Sequence, residues 1–132
     1  MITSDSGADN HYMSESDRIR LKLPIFWPSH KRVSVSNGVM SKGKYVTRLP
    51  FSQLSTTKTE ADTFEGLPSS LMSVEKTSDD GNVSIFTHEK VHVYKEADVL
   101  ITCRCKPILI GKRDGRGRCL IPLRQTRGYW QP

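Results

Sequence analysis

Apolar positions in this chain fall in short runs divided by polar turns. Val33-Ser34-Val35-Ser36 alternates as a half-buried strand does. Asn37-Gly38 follows it directly, and because both residues tolerate positive φ the pair predicts a hairpin. Residues 44–51 read as the return or the next strand. Residues 21–28 alternate and then turn continuously apolar, but Pro24 and Pro28 bar them from the centre of a sheet. Residues 83–87 and 91–94 predict a second hairpin across a short turn. Residues 99–102 and 108–110 are continuous apolar runs of strand length, which predicts buried strands. Cys119-Leu120-Ile121 closes the set after an Asp114-Gly115-Arg116-Gly117 turn.

Helical signals are fewer. Residues 13–20 are polar, with Ser14, Glu15 and Asp17 available as capping groups, and predict a short helical turn. Leu71, Val74 and Ser78 stand at helical spacing within residues 67–78, with Ser69 or Ser70 to cap the start and Gly81 to end it. Residues 52–63 are rich in Ser and Thr and read as a loop. Six to eight short strands, turns about every 8–12 residues and one helix predict a mainly β fold. The expected architecture is a small, closed or partly open β-barrel over residues 1–123, with 124–132 as a basic C-terminal tail or linker.

Composition narrows this picture. A chain of 132 residues is one domain with room for a single modest core. Its 36% apolar and 26% charged residues are lean but foldable. No run approaches the ~18 apolar residues of a membrane span, and the N-terminus has no signal-peptide pattern. The expectation is therefore a soluble, intracellular, cytoplasmic protein that does not engage a membrane. Three cysteines fit a reducing compartment better than a disulfide framework. The net charge of +6 is uneven. Residues 104–127 carry Arg104, Lys106, Lys112, Arg113, Arg116, Arg118, Arg124 and Arg127 against Asp114 alone. The first six are candidate contacts to RNA or DNA phosphates through counterion release. The plain alternative is a solvated surface or the start of a linker.

The chemistry sits at the start. Asp5-Ser6-Gly7-Ala8 resembles the active-site turn of aspartic peptidases. In that chemistry two carboxylates about 3 Å apart share one proton, one acting as base on a water and the other as acid on the scissile carbonyl. A glycine allows close backbone approach, and a serine hydroxyl can lock two such turns face to face. The company of the turn is more specific. Asp5-Ser6-Gly7-Ala8 with His11, then Leu67-Pro68-Ser69-Ser70-Leu71-Met72-Ser73-Val74 and Asp79-Asp80-Gly81-Asn82-Val83-Ser84-Ile85-Phe86, stand in that order. With Pro107-Ile108-Leu109-Ile110-Gly111-Lys112-Arg113-Asp114 and Ile121-Pro122-Leu123, they are similar to the protease region of copia-type LTR retrotransposon Pol polyproteins.

The resemblance spans residues 5–123 and implies a retropepsin-like aspartic endopeptidase that works as a homodimer. Asp5 of each subunit would complete the dyad, Ser6 and Gly7 would hold the turn, and Ala8 would pack below it. The substrate would be an extended polyprotein segment, and no cofactor or metal is called for. A substrate-covering flap is assigned to the region of Asn37, Gly38 and Gly43, with an ordinary surface hairpin as the alternative. Retropepsins carry a second signature of two apolar residues and a glycine before a helix. Leu109-Ile110-Gly111 with Arg113 and Asp114 fits its opening, but Gly115 and Gly117 oppose a helix, each at about 1 kcal/mol relative to Ala. That region is expected to be strand, turn, strand. Residues 1–4 are shorter than the apolar strand implied before the turn, which reads either as a truncated copy or as Met1 lying within a longer polyprotein. A non-catalytic barrel module of a retroelement-derived polyprotein, contacting nucleic acid through its basic C-terminal region, is the alternative.

Other chemistries find little footing. Cys103 and Cys105 are too close together for zinc-ligand spacing, and His88 and His92 lie on an expected hairpin. His11 reads as a packing residue of the turn. Ser73 lacks a nucleophile elbow, and there is no glycine-rich phosphate loop.

Overall fold

The computed structural model describes residues 1–34, 38, 40–115 and 117–124. Among the described residues, twelve strands, two short α-helices and two 3₁₀ turns follow one another. In chain order these are β1 (Ile2–Asp5), β2 (His11–Ser14), α1 (Glu15–Arg20), β3 (Trp27–Pro28), β4 (Arg32–Ser34), β5 (Met40–Lys42) and β6 (Tyr45–Arg48). A 3₁₀ turn (Thr56–Thr59) leads to β7 (Glu60–Phe64), β8 (Ser70–Ser73), α2 (Val74–Asp79), β9 (Asn82–Phe86) and β10 (Val91–Lys95). A second 3₁₀ turn (Glu96–Asp98) precedes β11 (Lys112–Arg113) and β12 (Cys119–Leu120).

The fold is mainly β, as expected, but among the described residues no sheet closes into a barrel. A six-stranded sheet runs β1-β8-β2-β7-β6-β3, and three two-stranded ribbons (β4-β5, β9-β10 and β11-β12) flank it. The proline-bearing strand β3 lies at its edge, where a missing N–H costs no ladder bond.

The centre of the sheet is a pseudo-two-fold repeat. β1 runs parallel to β8 and β2 parallel to β7, while β2 and β8 meet antiparallel at Tyr12 and Leu71. One constant step along the chain carries Ile2 onto Ala61, Asp5 onto Phe64, His11 onto Ser70, Tyr12 onto Leu71 and Ser14 onto Ser73, so each ladder maps onto the other. The helices repeat too. The Ser14 hydroxyl accepts from the Asp17 N–H (3.1 Å) and the Ser73 hydroxyl from the Lys76 N–H (3.0 Å), each an N-cap. Each cap residue's own N–H reaches into the other half. Ser73 N–H donates to His11 Nδ1 (2.9 Å), and Ser14 N–H donates to Ser70 Oγ (3.0 Å).

Several expectations are corrected. The helix expected over residues 67–78 begins at Val74, because residues 70–73 form the strand that completes the repeat. Residues 60–63, read as the end of a loop, belong to the buried strand β7. The runs at 99–102 and 108–110 are not strands and lie in solvent, with Leu100 91% and Ile108 87% exposed. Among the described residues no helix follows Leu109-Ile110-Gly111, as expected from Gly115 and Gly117. The two-fold counterpart of Asp5 and Gly7 is Phe64 and Gly66, followed by strand β8 and helix α2. Residues 112–120 are strand, turn, strand, as expected.

The ribbon β4-β5 is the hairpin expected at Asn37-Gly38. Gly38 has φ +80°, while Asn37 lies outside the described residues. Its base is fixed by Gly43. The Gly43 N–H donates to the Lys31 carbonyl (2.8 Å), and a Cβ here would overlap Ser29 Oγ and lie 2.9 Å from Ser29 Cβ. Ser29 is buried and hydrogen-bonded, so it has nowhere to go. We expect Gly43→Ala to lose about 1–3 kcal/mol of stability in urea unfolding. Gly115→Ala, where a Cβ meets nothing within 4 Å, should stay within about 0.5 kcal/mol of the parent. Equal losses in the two variants would contradict this packing.

Candidate active site

Asp5 ends β1 and opens the turn. Its side chain is half-buried and its Oδ1 accepts the Gly7 N–H at 2.7 Å, a local bond that fixes the reversal. Ser6 and Gly7 are exposed, and Ala8 is buried in a cluster with Tyr12 and Phe64. The rings of Tyr12 and Phe64 meet edge to face with centroids 5.5 Å apart. The four residues therefore present two small exposed positions above a buried methyl group. A Cβ on Gly7 would lie 3.3 Å from Asp5 Oδ1, a tight contact on the carboxylate itself.

The turn is bolted from below by the second half of the repeat. Ser73 Oγ donates to the Ala8 carbonyl (2.7 Å) while accepting the Lys76 N–H that starts α2. Thr77 Oγ1 donates to the Ser73 carbonyl (2.7 Å). Ala8, Ser73 and Thr77 are buried, so the bonds from Ser73 to Ala8 and from Thr77 to Ser73 are made where water does not easily replace them.

His11 is fully buried. Because Nδ1 accepts the Ser73 N–H, the proton resides on Nε2, which donates to the Lys58 carbonyl at 2.7 Å. Burial lowers its pKa from the ordinary 6.5 to about 4; the Lys58 carbonyl opposes that shift and the nearby Lys76 ammonium adds to it. The ring is a neutral strut. Lys76, itself pushed down by burial, donates to Asn10 Oδ1 and to the Glu60 carbonyl, both at 2.7 Å. Asn10 Nδ2 then donates to Asp62 Oδ2 (2.6 Å), whose Oδ1 accepts Ser29 Oγ (2.5 Å). This chain of bonds joins α2, the residue beyond the turn, β7 and the base of the β4-β5 hairpin.

A second link reaches the hairpin from Asp9. Its carboxylate accepts the Tyr12 hydroxyl and pairs with Lys31 Nζ at 2.9 Å, and these partners hold its pKa below the ordinary range, the Tyr12 bond most of all. Val33 of β4 packs on the Ala8, Tyr12 and Phe64 cluster. The candidate flap is therefore attached beside the turn, with Gly43 at its base rather than its tip.

Two of the basic C-terminal residues pair with carboxylates of the same chain. Arg113 pairs with Asp79 (2.9 Å) and approaches Glu75 (3.6 Å), both on α2, and Arg118 pairs with Asp114 (2.9 Å). Arg104, Lys106 and Lys112 are exposed, and Arg116 lies outside the described residues. Cys103, Cys105 and Cys119 are exposed free thiols, and no group of three His, Cys, Asp or Glu side chains with metal-ligand spacing occurs among the described residues. Asp62, Asn10 and Ser29 escaped the sequence reading, since an isolated polar residue carries no period. No family model, no curated protein and no solved structure matches this chain.

His11 makes acid stability the sharpest consequence. The unfolded chain protonates this ring near pH 6.5 and the folded chain resists until about pH 4, so between these values the unfolded state binds more protons. The stabilisation is complete above about pH 6.5 and is lost as pH falls toward 4, amounting to about 3 kcal/mol. Urea midpoints across this interval should fall steeply for the parent. His11→Gln should be less stable at neutral pH and lose most of the slope; an unchanged slope would contradict the assignment.

Proposed function

We propose that this chain is the aspartic endopeptidase module of a copia-type LTR retrotransposon Pol polyprotein, cleaving extended polyprotein segments in the cytoplasm as a homodimer. The observation that carries this reading is the Asp5 turn, which exposes Ser6 and Gly7 beside a half-buried carboxylate while Ala8 is anchored from below by Ser73. The turn supplies one carboxylate, and its two-fold counterpart within the chain holds Phe64. A dyad therefore needs the turn of a second copy.

In the paired state the two Asp5 carboxylates share one proton. The ionised one takes a proton from a water as its oxygen attacks the scissile carbonyl carbon. The protonated one donates to the carbonyl oxygen, giving a neutral gem-diol, and collapse with proton transfer to the departing nitrogen breaks the peptide bond. Ser6 and Gly7 sit where two turns would meet, and the β4-β5 hairpin, tethered through Lys31 and Val33, would cover the substrate. No cofactor enters this chemistry.

The rival reading, a non-catalytic module contacting nucleic acid through residues 104–118, draws less support. Arg113 and Arg118 already face carboxylates of the same chain.

Asp5→Asn should abolish cleavage of a peptide library while leaving the urea midpoint at neutral pH within about 0.5 kcal/mol of the parent, because this side chain's one hydrogen bond is local and at the surface. A mutant as active as the parent removes the assignment.

A further inference from the structure

The geometry points to a single-stranded nucleic-acid platform on the β3–β6 edge of the six-stranded sheet, remote in sequence from the C-terminal basic block and independent of the peptidase reading. From residue 18 to residue 59 the chain contains no Asp or Glu, yet it carries Arg18, Arg20, Lys22, Lys31, Arg32, Lys42, Lys44, Arg48 and Lys58. The same stretch holds Phe26, Trp27 and Tyr45. The fold brings the aromatic residues and several of the cations together.

Trp27 pairs with Val46 and Pro28 with Tyr45, so strand alternation turns Tyr45 to the opposite face from Trp27. Phe26, just before β3, and Trp27 are the exposed rings at this edge. Among the described residues β3 ends the sheet, and no other strand pairs with its outer side. Phe26 is 39% and Trp27 43% exposed, with ring centroids 5.9 Å apart. Cations frame these rings. Arg48 lies 4.1 Å over Phe26, and Lys44 and Arg18 lie 5.5 and 5.7 Å from the Tyr45 centroid. Beside Pro28 opens a groove of about 580 Å³ lined by Ser29, Ser41, Lys42, Gly43, Lys44 and Glu65. Arg32 pairs with Lys42 across the β4-β5 ribbon that borders it.

This is the combination that unpaired bases and their phosphates require: exposed rings for stacking, and a basic groove to carry the backbone. Some of the charge is already opposed, since Lys44 pairs with Glu65, Arg48 approaches Glu60 and Arg18 pairs with Glu15. Among the described residues, no carboxylate lies within ion-pair distance of Arg32 or Lys42. Those two cations are available to phosphate. A duplex hides the faces of its bases and would gain only the electrostatic part. Other protein surfaces would also cover an exposed tryptophan, but the cations beside Phe26 and Tyr45 and along the β4-β5 ribbon favour a polyanion over an apolar partner.

The test is fluorescence anisotropy of end-labelled oligo-dT and oligo-U, about 15 nucleotides long, titrated with the full chain between about 50 and 200 mM salt. Binding should be steeply salt-dependent, and a duplex of equal length should compete poorly. Trp27→Ala should weaken binding by about tenfold or more, and Trp27→Phe should recover most of it. Arg32→Gln and Lys42→Gln should each reduce the salt slope by about one. The double variant Arg104→Gln, Lys106→Gln should leave affinity unchanged. The proposal is overturned if the Trp27 and Lys42 variants bind as the parent does, if only the C-terminal variant loses affinity, or if the duplex competes equally. It also falls if Trp27→Ala shifts the sedimentation coefficient without changing oligonucleotide affinity, since the face would then be a protein contact.

Discussion

Everything near the Asp5 turn depends on Ser73. Its hydroxyl holds the Ala8 carbonyl, caps α2 and is itself buried, while its N–H is held by His11 from the other half of the repeat. A short helix and a four-residue strand have little independent stability. What gives the turn a fixed shape is that its supports belong to a different strand, more than sixty residues away along the chain. The reciprocal bond from Ser14 to Ser70 closes the second half of the same arrangement. Two weak halves thus stabilise each other, and the acid turn inherits its order from that reciprocity.

The core that results is unusually polar, which explains what could and could not be read from the sequence. His11, Thr47, Thr63, Ser70 and Ser73 are among its most buried residues, next to Ala61 and Phe64. The hairpin at residues 82–95 was legible because Val83, Ile85, Val91 and Val93 alternate with polar residues on either side of a short turn. The cap at Ser14 was legible for similar local reasons. Strand β7 was not. Its residues Glu60, Asp62 and Thr63 look like a loop until Asp62 finds Asn10 and Ser29, and Thr63 Oγ1 accepts the Tyr45 N–H at 3.0 Å. Burial of such groups is governed by partners distant in sequence, which periodicity does not register. The opposite error occurs at Leu100, Ile101 and Ile108, apolar residues left exposed because no layer among the described residues covers them. For the candidate site, the Asp5 turn and its chemistry were legible from four residues, and its buried supports were not.

The same polar core constrains how the proposed chemistry could run. A shared-proton dyad favours mildly acidic conditions, whereas His11 loses its place as pH falls toward about 4. Lowered pKa values at Asp9, Glu15 and Asp17, each held ionised by hydrogen bonds or cations, add further losses at lower pH as those carboxylates protonate. A working interval for that proposed chemistry would be bounded below by the fold and above by the dyad. The basic surfaces divide in a comparable way. Arg113 and Arg118 in the C-terminal block face Asp79 and Asp114, while in the stretch containing Trp27 no described carboxylate pairs with Arg32 or Lys42.

The most direct measurement of the central claim is sedimentation equilibrium of the full chain at tens of micromolar, near pH 7 and again near pH 5.5. The account predicts a reversible monomer–dimer equilibrium at both values, tighter at the lower one, where one proton between the two Asp5 carboxylates relieves their repulsion. Asp5→Asn, which removes that repulsion, should flatten the difference. A strict monomer at both pH values would contradict a dyad assembled from two turns.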